Sequence, residues 1–473
     1  MEESMTTKIM IEADEEADMR EPVSPTGQFF NSSVLSISII AVMESQVPID
    51  DALTMTLLKD VFLPINPRFS SVMETDKNGV KQWKKVKVNL IDHVNVPVFR
   101  AGESPEFYED QFNNYLSELA LQELPRGRPL WEIHIIKYPT RSVAGNLIFK
   151  LHHALGDGFS LMGALLSCLQ RADNPNLPLT FPNIRGSEPK LGSTDGKQGI
   201  FPRMGNVFSI FFNTISDFGF GLVKSALVGD GSTPVRSGDS GVEFNPIDIC
   251  TVTFGLDQLK RIKSNLQVTI NDVITGIVFL GTRLYMKETK SEKFISTALV
   301  LLNTRNIAGY SSVEEMVKPD KNTQWGNQFG FLHVTLPCLD ESEPLQFVFE
   351  ARKIIQRKRK SGAVFLTGKL LELLRKYRGP EVAARYIHGT LRNCSMTLSN
   401  LIGPVEQCSL ADHPCAGMYF MVVGIPQNLT ITMISYMGQM KIAVGTERKH
   451  INSQKFKSCI QTAFDVVFKA AVG

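Results

Sequence analysis

The sequence has no excess of charge of either sign and few aromatic residues apart from phenylalanine. Its 473 residues include 3 Trp and 9 Tyr against 29 Phe, and 50 basic residues balance 48 acidic ones. A net charge of +2 argues against a nucleic-acid binder, because such proteins carry a strongly basic surface. With 24 Pro and 35 Gly, the chain is neither collagen-like nor of low complexity. We therefore expect globular domains, two or three of them at about 100–200 residues each.

The sequence also lacks the motifs of several common enzyme classes. Its seven cysteines are scattered and include no CxxC pair. This argues against a disulfide scaffold or a zinc ribbon, and it favours a reducing compartment. No GxSxG elbow, P-loop, GxGxxG after a strand or HExxH is present.

The amino-terminal residues are not expected to form a signal peptide. The first 22 residues carry eight acids and two bases, with no basic region followed by an apolar one. Residues 1–24 are interpreted as a disordered acidic arm. Further along, Asn78-Gly79 predicts a hairpin turn. The lysines after this turn indicate a solvated strand face or a patch for anionic lipid: Lys81, Lys84, Lys85 and Lys87.

One apolar segment, residues 204–228, has the composition to meet a membrane, but it carries Asp217 near its middle. A spanning helix needs about 20 predominantly apolar residues, and a charge at the bilayer centre costs at least ~2.5 kcal/mol. A helix lying in the membrane interface fits better. Its apolar face would be formed by Phe208, Phe211, Phe212, Ile215 and Phe218. A linker helix packed on the protein is an equally good interpretation.

The apolar pattern predicts strands and helices that alternate along the chain, which indicates an α/β protein. Stretches rich in Pro, Gly, Asn and Ser divide the chain. Residues 25–185 form an N-terminal half, 186–245 a linker that contains the apolar segment, and 246–473 a C-terminal half. In the last part, Gly379-Pro380 is expected to break a helix, and Ser453 to cap the final one.

The strongest chemical signal is the run Asn146–Leu169, which predicts a strand followed by a helix. Alternation along the strand places His152 and His153 on opposite faces, and Asp157 and Gly158 turn the chain into the helix. A histidine at a strand end is well placed for general-base catalysis, since its ordinary pKa lies near neutrality. A structural histidine is the commoner case. A metal site is disfavoured, because adjacent histidines diverge and no third ligand stands at metal spacing.

These residues also carry a resemblance. The run 152–158, HHALGDG, matches HHxxxDG, the motif of acyl-CoA-dependent acyltransferases related to chloramphenicol acetyltransferase and to peptide-synthetase condensation domains. Further blocks are Pro129-Leu130-Trp131, Asn271-Asp272, Trp325-Gly326-Asn327 before Phe329-Gly330, and Ser399-Asn400-Leu401-Ile402-Gly403-Pro404. In order and spacing the chain resembles the plant wax ester synthase/diacylglycerol acyltransferase family over about residues 25–470.

The resemblance implies two similar halves, each a mixed sheet with helices, and a reaction channel between them. It implies an O-acyltransferase that moves a fatty acyl group from acyl-CoA to a long-chain alcohol, giving a wax ester, or to diacylglycerol, giving triacylglycerol. The implied attack is direct, without an acyl-enzyme. The implied partners are these substrates and membrane lipid, with no cofactor, metal or nucleic acid. The implied location is the cytosolic face of the endoplasmic reticulum membrane, or the plasma membrane.

The same resemblance assigns roles within the HHxxxDG motif. His153 is expected to be the base that deprotonates the acceptor hydroxyl, with His152 beside it. Asp157 is expected to be structural, facing away from the channel and paired with Arg305. Gly158 is expected to permit the tight turn.

The other blocks are assigned less directly. Asn271 is a candidate hydrogen-bond donor near the acyl chain, or else a helix N-cap. Ser399 and Asn400 are candidates for the channel lining, although the block that ends in Gly403 and Pro404 is also typical of strand-end turns. Three residues upstream of the histidines are expected to be structural: Pro129, Leu130 and Trp131.

Some features depart from the family pattern. Asn303-Thr304-Arg305-Asn306 lacks the Leu and Pro of the family's Asn-Leu-Arg-Pro run. Residues 216–221, SDFGFG, are similar to the DFGWG block of the BAHD acyltransferases, but that block falls late in the chain and we interpret the match as coincidence. A BAHD-like enzyme with a polar acceptor and a non-catalytic lipid-binding relative are the alternatives. The abundant Phe and Met suit a lipid channel or an ordinary core.

Overall fold

A computed structural model of the chain describes residues 20–77, 80–182, 200–291, 295–305, 313 and 325–473. The helices are α1 (Pro25–Phe30), α2 (Asp51–Leu57), α3 (Pro105–Leu121), α4 (Gly158–Ser167), α5 (Ile200–Ala226), α6 (Leu256–Leu266), α7 (Ile270–Glu288), α8 (Pro344–Lys360), α9 (Ala363–Arg378), α10 (Pro380–Asn393) and α11 (Ser453–Val472). The strands are β1 (Arg20–Pro22), β2 (Ser38–Ser45), β3 (Ser71–Thr75), β4 (Lys81–Lys85), β5 (Val94–Asn95), β6 (Trp131–Ile136), β7 (Gly145–His152), β8 (Leu169–Arg171), β9 (Ile247–Gly255), β10 (Thr297–Asn303), β11 (Phe329–Thr335), β12 (Met396–Ile402), β13 (Cys408–Leu410), β14 (His413–Val423), β15 (Leu429–Tyr436) and β16 (Gln439–Glu447).

The larger sheet carries the histidine pair. Its seven strands lie in the order β5-β6-β7-β2-β14-β13-β8. The strand β7 is buried along its whole length because apolar clusters cover both faces, with Phe149 on one and Ile148 on the other. This two-sided burial explains its nearly continuous apolar sequence. The strands β13 and β14 come from the chain after residue 246, and β14 pairs antiparallel with β2.

The second large sheet has six strands in the order β11-β10-β12-β15-β16-β9. The three central strands, β10, β12 and β15, are parallel, and the others pair antiparallel. The helices α7 and α11 pack on one face over a large apolar cluster. They approach closely at Gly281, where a Cβ would lie 2.5 Å from Ile460 Cδ1. Mixed sheets with helices agree with the predicted α/β class.

The predicted disordered arm is wrong for its last residues. Arg20–Pro22 form β1, which pairs with β4 in a three-stranded sheet of order β1-β4-β3. Glu21 forms an ion pair with Arg68 at 2.7 Å, which fixes this strand to the body. Residues 1–19 and the predicted turn at Asn78-Gly79 lie outside the described residues, although β3 and β4 on either side of the turn do pair antiparallel.

The apolar segment forms the long helix α5, which packs on α10, α9 and α8. Its Asp217 is buried and accepts hydrogen bonds from Lys358 Nζ at 2.6 Å and Arg357 Nη2 at 3.1 Å. The outward side of the helix exposes Phe212 by 74% and Ile215 by 54%. In the described part of the chain, we find no helix with the length and apolar character that crossing a membrane requires. The helix thus both packs on the protein, through its acidic residue, and leaves apolar side chains uncovered.

Helix boundaries match the sequence with small shifts. The break at Gly379-Pro380 separates α9 from α10 as predicted. The cap of the last helix is Asn452, whose side chain accepts from Lys455 N, so the assignment of Ser453 as the cap is wrong by one residue. Asn452 is an equally good cap, because its short side-chain oxygen reaches the same free amides.

Candidate active site

The histidine loop is held at the end of the central strand β7. The backbone amide of His152 donates to Leu130 O at 3.0 Å, and that of His153 donates to Ile37 O at 2.8 Å. Five residues later, Asp157 caps α4 by accepting a hydrogen bond from Ser160 N at 3.1 Å. The loop is therefore anchored to the strands before it and to the helix after it.

The two adjacent imidazoles have different surroundings, as strand alternation predicts. His152 Nδ1 accepts from Ala154 N at 3.1 Å, and its Nε2 lies 3.3 Å from Ser36 Oγ. Burial, reinforced by the neighbouring His153, lowers the pKa of His152 to about 3. Because Nδ1 accepts, Nε2 carries the hydrogen and donates it to Ser36 Oγ, so both ring nitrogens are engaged in structural contacts. His152 is therefore a poor candidate for proton transfer.

His153 lies in an aromatic enclosure between the two large sheets. Its ring centroid is 4.8 Å from that of Phe30 and 5.5 Å from that of Phe329, and only 5% of the residue is exposed. Burial lowers the pKa of His153 below its ordinary value of 6.5, although Asp157 and the hydrogen bond to Asn327 act in the opposite direction. His153 is therefore neutral at pH 7, the state that a general base requires.

Asn327 fixes which nitrogen of His153 carries the proton. The amide Nδ2 of Asn327 donates to the carbonyl of His153 at 2.9 Å, which leaves its Oδ1 2.8 Å from His153 Nδ1. Since an amide oxygen only accepts, Nδ1 must carry the hydrogen. The lone pair then lies on Nε2, which makes no hydrogen bond to any residue that the structure describes. The base is thus held in one tautomer and one orientation.

Asp157 and Arg305 form a buried ion pair between the two halves of the chain. Arg305 Nη1 donates to Asp157 Oδ2 at 2.6 Å, and Nη2 donates to Oδ1 at 2.9 Å. Both side chains are almost fully buried, and Gln328 N adds a hydrogen bond to Asp157 Oδ2 at 2.9 Å. The contact predicted between these residues is confirmed. The missing Leu and Pro beside Arg305 did not prevent it.

The loop 325–328 completes this connection. Gly326 O accepts from Arg305 Nη2 at 2.7 Å and from Ser160 Oγ at 3.1 Å, while Gly326 N donates to the same Ser160 Oγ at 3.0 Å. Gly326 adopts a φ of 118°, a region that side chains disfavour. Trp325 Nε1 donates to Leu155 O at 3.0 Å. This loop therefore clamps the histidine loop from the opposite half.

Sequence reasoning assigned no role to Asn327 or Ser160. The position of Asn327 in the Trp325-Gly326-Asn327 block is the sequence feature that could have identified it. That block indicates the family but, by itself, not a contact with His153. Ser160 lies three residues after Asp157 in an apolar helical run, and no sequence pattern there predicts its contact with Arg305.

The block Pro129-Leu130-Trp131 lies next to the histidine loop and packs in the core of the large sheet. Trp131 is fully buried, stacks on His93 with ring centroids 4.1 Å apart, and donates from Nε1 to Phe69 O at 2.8 Å. Leu130 supplies the carbonyl that binds His152 N. These contacts are structural in character, in line with the prediction for the block.

The conformational role predicted for Gly158 is wrong. Gly158 opens α4 and is absent from the glycines of positive φ. A Cβ there would lie 3.4 Å from Leu401 Cδ2, an ordinary van der Waals distance. Leu401 belongs to β12 in the other half, so Gly158 lies at a contact between the two halves.

The remaining predicted residues lie outside the contacts of His153. Asn400 Nδ2 donates to Asn271 Oδ1 at 3.2 Å. Asn271 is not the helix cap, since Thr269 and Asp272 form the capping box of α7. Ser399 is buried on the opposite face of β12 from Asn400. Their proposed contacts with substrate stay predictions.

The end of β12 has a structural requirement for glycine. Gly403 N donates to Ser435 O at 3.0 Å, and a Cβ on Gly403 would lie only 2.3 Å from that oxygen. Pro404 follows and is buried. These two residues therefore fit the alternative of a strand-end turn. Across the described ranges, no group of three or more His, Cys, Asp or Glu has the geometry of a metal site.

Two family models match the chain. The model described as the wax ester synthase/diacylglycerol acyltransferase catalytic domain matches residues 62–274. The model described as the WS/DGAT C-terminal domain matches residues 325–467. Together the matches include the histidine loop and the 325–328 loop that clamps it.

Similar proteins of known sequence come from a plant. Wax ester synthase/diacylglycerol acyltransferase 4 of Arabidopsis thaliana is 30% identical over 454 residues, which cover 91% of this chain and 86% of that protein. Wax ester synthase/diacylglycerol acyltransferase 6 of the same plant is 28% identical, with coverage of 93% and 91%.

Solved structures support the fold. The wax ester synthase/diacylglycerol acyltransferase from Marinobacter aquaeolei VT8 superposes with a TM-score of 0.60 at 15% identity, covering 95% of this chain and 100% of that one. The first condensation domain of the CDA synthetase superposes with a TM-score of 0.56 at 12% identity, covering 96% and 98%. At these identities the likeness concerns the fold.

Proposed function

The chain belongs to the wax ester synthase/diacylglycerol acyltransferase family, and we propose from this membership that it is an acyl-CoA-dependent O-acyltransferase. Its acceptor is a long-chain alcohol, diacylglycerol, or both, and its products are a wax ester or triacylglycerol and free CoA. The observation that carries the proposal is the buried, neutral His153, whose Nδ1 is bonded to Asn327 and whose Nε2 bears the lone pair.

In the proposed reaction, His153 Nε2 removes the proton of the acceptor hydroxyl as its oxygen attacks the thioester carbonyl. The new C–O bond forms, the C–S bond breaks, and the sulfur leaves as CoA thiolate. The thiolate is then protonated by the imidazolium of His153. No acyl-enzyme is needed, because both substrates bind together. A positioned base contributes roughly 10²–10⁴-fold to such a step.

The apolar enclosure supports this chemistry in two ways. Phe30 and Phe329 flank the imidazole and keep water from competing with the alcohol for the thioester. Low polarity also favours the neutral imidazole over the imidazolium before the reaction begins. The same rings belong to an apolar cluster that includes Leu371 and Leu374 of α9, a suitable lining for acyl chains.

The decisive experiment is an assay of the purified full-length protein. We expect palmitoyl-CoA with hexadecanol or with dioleoylglycerol to give ester product and an equal amount of free thiol. Thiol release that stays at background with both acceptors, together with saturable acyl-CoA binding, would identify a lipid-binding relative instead. Comparing the two acceptors with a polar phenolic one establishes the acceptor class.

We expect Asn327→Asp to move the acid limb of the kcat/KM profile to higher pH. In the native protein this limb should lie below pH 6.5, because burial lowers the pKa of His153 and activity is lost only when the base becomes protonated. A carboxylate 2.8 Å from Nδ1 favours the imidazolium, so the pKa of His153 rises in the variant.

The same residue has a second readout. Asn327→Ala frees the tautomer and orientation of the base, and we expect kcat to fall by roughly 10–100-fold, the range for partners that orient a functional histidine. Asn452→Asp is the matched control, because Asp caps a helix as well as Asn and this site lies on α11. An unmoved acid limb in Asn327→Asp would contradict the assigned hydrogen bond.

We further propose that the enzyme works at a membrane, on the cytosolic face of the endoplasmic reticulum or at the plasma membrane. The support is chemical, since long-chain alcohols and diacylglycerols partition into bilayers. Targeting of a fluorescent fusion, followed by carbonate extraction of microsomes, tests both the location and the mode of attachment.

A further inference from the structure

One short stretch of the chain is strongly basic. Between residues 352 and 378 there are ten basic residues and one acidic one, in a protein whose total charge is only +2. This stretch comprises the end of α8 and all of α9. Basic clusters of this density next to apolar surface are typical of segments that bind anionic lipid.

Four of these ten basic residues have polar partners inside the protein. Arg352 donates to Gln267 O at 2.8 Å, and Lys353 pairs with Glu350 at 3.0 Å. Arg357 and Lys358 bond to Asp217 and so fasten α8 to α5. Others point into solvent, and within the described ranges they form no ion pair with an acidic side chain: Arg359, Lys360, Lys369, Lys376 and Arg378. Arg357 and Lys358 thus have a structural use inside the protein, whereas these five charges are left without an acidic partner in the part of the chain that the structure describes.

Bulky apolar side chains are exposed next to these bases. On α5, Phe211 is 63% exposed and Phe212 74%. On α9, Phe365 is 66% exposed, Leu373 53% and Tyr377 70%. Soluble surfaces rarely gather so many large apolar side chains without a partner.

The two helices form one continuous surface. Gly362 N, at the start of α9, donates to Thr214 Oγ1 of α5 at 3.0 Å. A groove of about 790 Å³ lies between α5 and α8. This groove is lined by Ile210, Asn213, Arg352, Lys353, Arg357 and Lys360. Exposed apolar and basic side chains of α5, α8 and α9 therefore lie on neighbouring, contacting helices.

We propose that this face docks the protein on anionic lipid membranes. The aromatic and aliphatic side chains of α5 and α9 enter the boundary between headgroups and acyl chains, and the bases contact headgroup phosphates. Basic residues alone would suit nucleic acid as well. The exposed bulky apolar residues favour a bilayer, because a nucleic-acid backbone has no apolar layer into which they could insert.

The docking face, formed by the exposed residues of α5, the end of α8 and α9, lies close to the reacting histidine. Only α9 separates them. Leu371 and Leu374, on the inner side of α9, pack in the apolar cluster that contains Phe30 and Phe329, whose rings flank His153. Docking therefore brings the bilayer next to the enclosure where a lipid acceptor would react. This inference rests on the proposed function only for the identity of that acceptor.

The test is flotation of the purified full-length protein with vesicles of phosphatidylcholine alone and with one-fifth phosphatidylserine. We expect strong binding only to the anionic vesicles, weakened by added salt because exposed charges are screened. The triple variant Arg359→Glu, Lys360→Glu, Lys369→Glu should partition at least roughly tenfold more weakly. The variant Phe211→Ser, Phe212→Ser should bind weakly even at low salt.

Matched controls make the same changes elsewhere. The variant Lys84→Glu, Lys85→Glu, Lys87→Glu alters the net charge equally and tests the other basic patch suggested by the sequence. Phe244, which is 74% exposed like Phe212, supplies Phe244→Ser as the apolar control. Both controls should bind like the native protein.

Two outcomes would overturn the proposal. One is unchanged vesicle binding by both variants of the docking face, and the other is native binding that ignores lipid charge. Turnover of the same variants on substrates in detergent micelles separates docking from chemistry. A native protein that binds anionic vesicles but transfers no acyl group would contradict the proposed function and leave the docking face standing.

Discussion

Replacing His153 with alanine is expected to lower kcat by about 10²–10⁴-fold or more, the usual contribution of a general base. The reason is that the imidazole supplies the lone pair on Nε2, held in one tautomer by Asn327. Ester formation from acyl-CoA and the preferred alcohol is the measurement, with the free energy of unfolding in urea as the check on folding. Added imidazole should partly restore turnover in this variant, because a small base can enter the vacated space.

The adjacent histidine provides the comparison. His152→Ala removes a ring that is equally buried and that accepts a hydrogen bond from Ala154 N. We expect this variant to lose stability, since a buried amide loses its partner. Its rate per folded molecule should fall far less, and imidazole should not restore it. Equal losses of rate in the two variants would argue against His153 as the base.

The second large effect concerns stability. Asp157→Ala is expected to reduce the free energy of unfolding by about 3–5 kcal/mol, the cost of leaving one member of a buried ion pair uncompensated. Arg305 would keep its charge in a place where its side chain is 2% exposed. The variant also deprives Ser160 N and Gln328 N of their acceptor. Urea unfolding at pH 7 measures the loss.

A capping carboxylate that forms no ion pair with any described residue serves as the control. Asp272 forms the capping box of α7 with Thr269, so Asp272→Ala should cost only about 0.5–2 kcal/mol. The double variant Asp157→Ala, Arg305→Met should recover part of the loss, because no unpaired charge remains. If Asp157→Asn abolished turnover with unfolding unchanged, the carboxylate would be acting in the chemistry and its structural role would be refuted.

Local sequence patterns were sufficient for the strand, the turn and the helix around the histidines. Strand alternation predicted that His152 and His153 have different surroundings, and the Asp157 that caps α4 stands where the strand pattern changes to a helical one. The contact between Asp157 and Arg305 came from the resemblance to the family. Their separation of 148 residues has no local signature.

Errors arose where local and tertiary requirements differ. Gly158 reads as a turn glycine, yet its φ is not positive, and a Cβ there would meet Leu401 of the other half at an ordinary van der Waals distance. Asp217 reads as an interruption in a membrane segment, and the sequence left open whether the helix packs on the protein or lies in a membrane. The structure gives that aspartate two cationic partners from α8.

By itself, the sequence determined the α/β class, the family and the identity of the candidate base, because periodicity and short motifs are properties of neighbouring residues. The tertiary structure alone decided how that base is held. Asn327 meets His153 across 174 residues, and the strands β13 and β14 join a sheet whose other members precede residue 172. Such contacts depend on how distant segments pack, and the orientation of an amide or the tautomer of an imidazole is set only when its hydrogen-bond partners arrive.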